Sequence, residues 1–298
     1  KKKMSQQQQN NGFLYVGSLT KPYYDAAVMS AESIKDYWPE AKIMLFTHED
    51  WVQEPRDSRI FDKIVTGVPA HCRAKLWALD QTIFDKTCYM DADTYCEHED
   101  IKYIFDDLPD NYDMAMTTNR PYNAKVVYFK KDRELTHYEE EDKKLIWEGG
   151  DPDGKPLYAV HSWEENAKNE VYRMLWHCGM FIYNNKPHTL KMLHAWYTNY
   201  REQIENKKTW HERFEHPRSL WFWDTYAFWR TNFYTNYEVK IREIHPKWNF
   251  VNGYREFELS EKHPKVIHHY TVPARPQDEG LIDDPNISNT IGNFDILK

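Results

Sequence analysis

The sequence predicts an α/β fold, a mostly parallel central sheet flanked by helices. Two patterns predict it. Short apolar runs of β character alternate with helical periods through the first 90 residues. The run "CYMDADTYC" (88–96) then places two carboxylates directly after a buried strand, where ligands bind in open α/β sheets.

The elements follow in order. "FLYVGS" (13–18) reads as a buried strand, and "YYDAAVMSAESIKDYW" as a helix with Ala27, Ser30 or Ala31 and Ile34 along one face and Pro39 closing it. "AKIMLFT" (41–47) and "FDKIVTG" (61–67) read as the second and third strands. "CRAKLWALDQTIF" (72–84) reads as a helix, with Leu76, Leu79 and Ile83 at spacing 3 and 4. "KTCYM" (86–90) is a strand ending on Asp91. Alternation of this kind implies parallel pairing with helices covering the sheet. Further on, "HCGMFIYNN" (177–185) reads as a strand, "TLKMLHAWYTNYREQIE" as an amphipathic helix, "LWFWDTYAFWRTNFY" (220–234) as a buried helix and "PKVIHHYTV" (264–272) as a last strand.

Residues 1–12 are expected to be a flexible leader, since "KKKMSQQQQN" is polar and of low complexity. Residues 13–275 form one domain, with an insertion or lid at about 119–170 in which "HYEEEDKK" reads as a solvated helix face. Residues 276–298 are a polar tail.

At 298 residues, with 41 % apolar and 16 % aromatic side chains, the chain has ample material for a core. A net charge of −8 gives no bulk attraction for nucleic acid, so a site for a polyanion has to be local. No apolar run is long enough for a membrane span. Four cysteines without a C-x-x-C pair fit a reducing compartment and a cytoplasmic protein, and argue against a thiolate zinc site.

Asp91 and Asp93 stand on alternate positions of an extended segment, so both can face one cation. Mg²⁺ and Mn²⁺ prefer such oxygen ligands and keep positions for phosphate oxygens. Two acids capping a turn is the structural alternative. His268 and His269 offer a third ligand from the far end of the chain; neighbours on a strand point to opposite faces, so one of them should reach the cleft. Arg73 and Lys75, near the start of the helix before the acidic strand, could reach phosphate or could be ordinary surface cations.

The order of these features resembles glycosyltransferase family 8, and glycogenin-like enzymes in particular. The blocks are "FLYVGSLTKPYYDAAVMSAESI" (13–34), "KLWALDQTIFDKTCYMDADT" (75–94), "HCGMFIYN" (177–184), "WDTYAFW" (223–229), and "KWNFVNG" (247–253) with "KVIHHYT" (265–271). A lysine sixteen residues before the first Asp of D-A-D-T matches the glycogenin pattern.

That resemblance implies a GT-A (Rossmann-like) fold and hexose transfer from a UDP-sugar, with retention and with Mn²⁺ (or Mg²⁺), to a glycan, lipid or protein acceptor. It implies Asp91, Asp93 and His268 as metal ligands, with Asp91 also near the ribose. Ser18, Thr20 and Tyr23 would hold uridine, Lys75 would contact donor oxygens, and Asp224 would sit beside the transferred sugar. The family's phosphate lysine is absent from "YTVPARP"; Arg275, about one residue further on, would be the cation to substitute for it, although a guanidinium is not equivalent to an ammonium. His177-Cys178 replaces the family's Asn-Ser, and Thr225 its usual Gln.

Two competitors remain at this stage. One is a non-catalytic nucleotide- or glycan-binding member of the same fold. The other is a D-x-D phosphatase, whose motif needs Thr or Val where this chain has Tyr95 and which usually opens its domain. A homodimer is left open.

Overall fold

The computed structural model describes residues 10–118, 159–161, 170–172, 176–205, 239–251 and 264–270, together with Asp224, Thr225, Ala227, Phe228 and Thr231. In chain order the elements are β1 (Asn11–Val16), α1 (Lys21–Tyr37), β2 (Ile43–Phe46), α2 (Arg56–Ile60), β3 (Lys63–Val65), α3 (Lys75–Ala78), β4 (Lys86–Met90) and β5 (Thr94–Cys96). There follow β6 (Met114–Thr118), β7 (Ala159–His161), β8 (Glu170–Tyr172), β9 (Trp176–Asn184), α4 (Pro187–Glu205), β10 (Ile241–Glu243), β11 (Phe250–Val251) and β12 (Ile267–His269).

Seven strands form one sheet in the order β10-β6-β9-β4-β1-β2-β3. Pairing is parallel from β4 through β1 and β2 to β3, and again between β10 and β6, whereas β9 runs antiparallel to both β4 and β6. The sheet is therefore the mostly parallel α/β sheet expected, with one strand reversed at its centre.

The strands are apolar without alternation because both faces are covered. Phe13 and Tyr15 pack into the core beneath α1 with Ala27 and Ile34, while Leu14 between them packs into the opposite core with Phe181 and Trp196. α1 begins with Pro22 in its first turn, where a missing N–H costs nothing. Gly17 lets that turn approach: a Cβ there would lie 2.7 Å from the Tyr24 Cα.

Several boundaries differ from expectation. β1 starts at Asn11 rather than Phe13, because Asn11 pairs with Lys86 and Asn10 donates to Asp85. The expected helix over 72–84 is α helix only at Lys75–Ala78 and continues as a 3₁₀ turn to Gln81. Leu76 and Leu79 are buried as the stripe required, but Ile83 is 47 % exposed. The Thr82 hydroxyl accepts the Phe84 N–H and ends the helix, turning Phe84 inward beneath Gly12.

β5, β6, β7, β8, β10 and β11 were not foreseen; β7 and β8 pair antiparallel with each other. β5, β12 and β11 form a second small sheet, with β12 antiparallel to β5 and parallel to β11. Within 220–234, the described residues Asp224, Thr225, Ala227, Phe228 and Thr231 are helical as expected. The "HYEEEDKK" helix face, Arg275 and the polar tail lie outside the described residues.

Candidate functional site

Asp91 follows β4 directly, at the carboxyl edge of the sheet. Its backbone N–H donates to the Gly179 carbonyl of the antiparallel neighbour at 2.7 Å, which fixes where the acidic turn leaves the sheet. The chain then enters β5, and β12 pairs with it in the register Ile267↔Cys96, His268↔Tyr95 and His269↔Thr94. Tyr270 N–H closes the turn on the Asp93 carbonyl at 2.8 Å.

This register decides which histidine reaches the acids. His269 Nε2 lies 3.0 Å from Asp93 Oδ1 and 3.9 Å from Asp91 Oδ2. His268 instead places Nδ1 3.1 Å from Glu97 Oε1 and stacks on Tyr270. One of the two histidines does reach the acids, but it is His269 and not the expected His268. Asp91, Asp93 and His269 each bring one ligand atom to within 4.8 Å of the others. Two hard carboxylate oxygens and one imidazole nitrogen suit a divalent cation such as Mn²⁺ or Mg²⁺. Burial lowers the affinity of His269 for a proton, but Asp93 and then Asp91 outweigh it and raise its pKa.

Asp91 is shared. Its Oδ1 accepts from the Tyr89 hydroxyl and from Lys75 Nζ, the latter at 3.2 Å, so Oδ2 is the oxygen nearer His269. Tyr89 stands two residues earlier on the same strand face, a signal present in the sequence and not used.

Lys75 is not a surface lysine. It is 4 % exposed, and its ammonium also pairs with Asp224 Oδ2 at 2.9 Å and donates to the Cys178 carbonyl at 2.7 Å. Burial works against its charge, yet Asp224 and Asp91 prevail and its pKa is raised. Burial likewise pushes the Asp224 carboxyl up, but Lys75 and Arg73 overcome it and hold it at about 2. Arg73 Nε lies 3.6 Å from Asp224 Oδ1. The Asp224 carbonyl accepts from the indole of Trp196 on α4, which ties this segment to the sheet through the core.

A cleft opens between the β1–α1 loop and this cluster, lined by Ser18, Tyr23, Arg73, Lys75, Asp91 and Asp93 among others. Ser18 donates to the Pro69 carbonyl. Tyr23 is half-buried, and burial followed by the nearby Cys72 and Asp93 pushes its phenol up to about 12, so it stays neutral. Thr20 is not among the lining residues; its hydroxyl is buried and makes no hydrogen bond among the described residues. The structure thus brings Ser18, Tyr23, Lys75, Asp91, Asp93 and Asp224 together as the sequence reading grouped them.

His177 replaces an asparagine of the resembled family and lies behind His269, the rings meeting edge to face at 5.0 Å. Burial, then His269, lowers its pKa to about 3, so it is neutral. Asn249, which the sequence reading passed over, bonds both rings.

No protein-family model and no curated protein sequence matches the chain. Among solved structures it is similar to the glycosyltransferase GlyE of Streptococcus pneumoniae, at 14 % identity and a TM-score of 0.49 over 89 % of this chain and 55 % of that one. It is also similar to the galactosyltransferase LgtC in complex with donor and acceptor sugar analogs, at 13 % identity and 0.44, covering 95 % and 96 % of the two chains. The bifunctional glycosyltransferase WbbM gives 13 % and 0.49 over 95 % of this chain and 50 % of that one. The chain thus spans about half the length of GlyE and WbbM. Likenesses at these scores carry no weight for function; the site does. No described helix is long and apolar enough to cross a membrane.

Proposed function

We propose that the protein is a glycosyltransferase of the GT-A kind that moves a hexose from a UDP-sugar to a hydroxyl acceptor, with retention and with Mn²⁺ or Mg²⁺. One observation carries the reading. A carboxylate–carboxylate–imidazole cluster stands at the carboxyl edge of a mostly parallel sheet, beside a cleft lined by a neutral tyrosine, the buried Lys75 and the partly buried Arg73.

Asp91, Asp93 and His269 would hold the cation, which when bound supplies positive charge to the departing diphosphate. The chain's own residues do the rest. Ser18 and Tyr23 line the approach from the β1–α1 loop, with Thr20 behind them on the same loop, and the aromatic face would pack on a uridine. Lys75 is an ammonium held between Asp91 and Asp224, and its charge would stabilise a departing diphosphate. Asp224, held ionised, would face the side of the transferred sugar and stabilise positive charge at its reacting carbon. Arg275 would add a second cation to the phosphates. Positioning and electrostatics then supply the acceleration.

The test is incubation with Mn²⁺ and a panel of UDP-, GDP- and TDP-sugars, reading released nucleoside diphosphate, with Asp93→Ala as control. Release from one UDP-sugar, lost in the variant, is expected. Equal release by Asp93→Ala would overturn the site assignment.

A further inference from the structure

We propose that His269 is fixed as its Nδ1–H tautomer by a relay through Gly179, His177 and Asn249, which makes Asn249 and His177 positioning residues of the cation site; this rests on reading Asp91, Asp93 and His269 as that site.

The relay starts at a group whose role is not open to choice. The Gly179 backbone N–H can only donate, and it donates to His177 Nδ1 at 3.2 Å. His177 Nδ1 is therefore a bare nitrogen, and the proton of this neutral ring is on Nε2.

The same Nδ1 lies 2.9 Å from the end of the Asn249 side chain. Because that nitrogen accepts, the group facing it has to be the amide NH₂, which also reaches Thr117 Oγ1 at 3.0 Å. The carboxamide oxygen is then turned the other way, where it lies 2.9 Å from His269 Nδ1. A carboxamide oxygen only accepts, so His269 Nδ1 carries a hydrogen.

Rotating the Asn249 amide by half a turn would set NH₂ against N–H on one side and oxygen against a lone pair on the other. Asn249 is 3 % exposed, so water would not repair either contact. With Nδ1 committed to the Asn249 oxygen, Nε2 is the nitrogen that faces Asp93 Oδ1, at 3.0 Å. A ligating histidine whose other nitrogen donates to an oxygen is the arrangement that holds an imidazole in place for a metal. Here the oxygen's orientation is itself dictated by His177, which gives that residue a purpose at the position where the resembled family has asparagine.

The experiment reads the tautomer directly. Long-range ¹H–¹⁵N correlation on the metal-free protein, with the pH raised until the His269 signals stop changing, should show His269 protonated at Nδ1 and bare at Nε2. His177 should show the reverse. His177→Phe frees the Asn249 amide to rotate and should give His269 as a mixture of tautomers. In electron paramagnetic titrations of free Mn²⁺, His177→Phe and Asn249→Leu should each bind about 10- to 100-fold more weakly than the wild type.

Wild-type His269 protonated at Nε2 and bare at Nδ1 would overturn the relay, with no variant needed. So would an unchanged tautomer in a folded His177→Phe variant. If the wild type shows the expected tautomers but no Mn²⁺ binding, the relay stands and the cation-site reading fails.

Discussion

His269 Nε2 lies 3.0 Å from Asp93 Oδ1, across the antiparallel pairing of β12 on β5, while its neighbour His268 turns away to Glu97. The two histidines are therefore separable by mutation. His269→Ala should weaken Mn²⁺ binding by on the order of 100-fold or more, since it removes a ligand rather than a supporting group. His268→Ala should leave binding within a few fold. Calorimetric Mn²⁺ titration of both variants checks this; equal losses would contradict the register.

Lys75 compensates two carboxylates from a buried position. Lys75→Met leaves Asp224 and Asp91 without it, and breaking a buried pair from one side costs about 3–5 kcal/mol. Adding Asp224→Asn removes one orphaned charge, so the double variant should recover part of that loss in urea unfolding. Transfer should fall more in Lys75→Met than Mn²⁺ affinity does. Additive effects of the two substitutions on stability would show that the pair is not coupled.

Gly179 has no room for a side chain. A Cβ there would lie 2.1 Å from His269 Cε1 and 2.9 Å from Asp91 Oδ2. Gly179→Ala should therefore push the imidazole from the carboxylates and lower Mn²⁺ affinity by at least about tenfold. The fold should survive, since the clash is with side-chain atoms and not with the sheet. Wild-type affinity in this variant would show that the cluster tolerates displacement.

Glu97 ties β5 to β12 by accepting from Lys265 and Tyr270 and pairing with His268. Burial pushes its carboxyl up, but the hydrogen bonds from His268 and Lys265 prevail and hold it at about 2, against an ordinary value of 4.5. A depressed folded-state pKa gives stability that is present above about pH 4.5 and lost as pH falls toward 2. Glu97→Gln should cost on the order of 1 kcal/mol at neutral pH. Its stability should also fall less steeply than the wild type's between those two pH values. Parallel acid limbs in thermal melts would reject this role.

Much of the frame was legible in the sequence because its signals are local. The run "KTCYM" at Lys86–Met90 gave β4 its observed limits. The strand before them was enough to put Asp91 and Asp93 at the ligand-binding edge, but the two acids are held by a turn rather than by the two-residue period of an extended segment, the Thr94 N–H closing on the Asp91 carbonyl at 3.2 Å. Leu76 and Leu79 were read correctly as core, but the helix they suggested ran on to Ile83 only on paper, since Thr82 ends it. Strands of two or three residues such as β5, β10 and β11 carry no period to read. Nor did anything local show that β9 would reverse direction, because strand orientation is set by how a long connection returns to the sheet.

The sequence by itself determined the alternating elements, the buried strands and the pair of acids that one cation could share. The tertiary structure alone decided that His269 and not His268 joins them, and that Lys75 and Asp224, far apart in the chain, neutralise each other in the core. The physical reason is one of range. Periodicity fixes which way a side chain points relative to its neighbours, but a one-residue change of register moves every side chain of a strand to its other face. Only the pairing of β12 with β5 settles which histidine meets the acids.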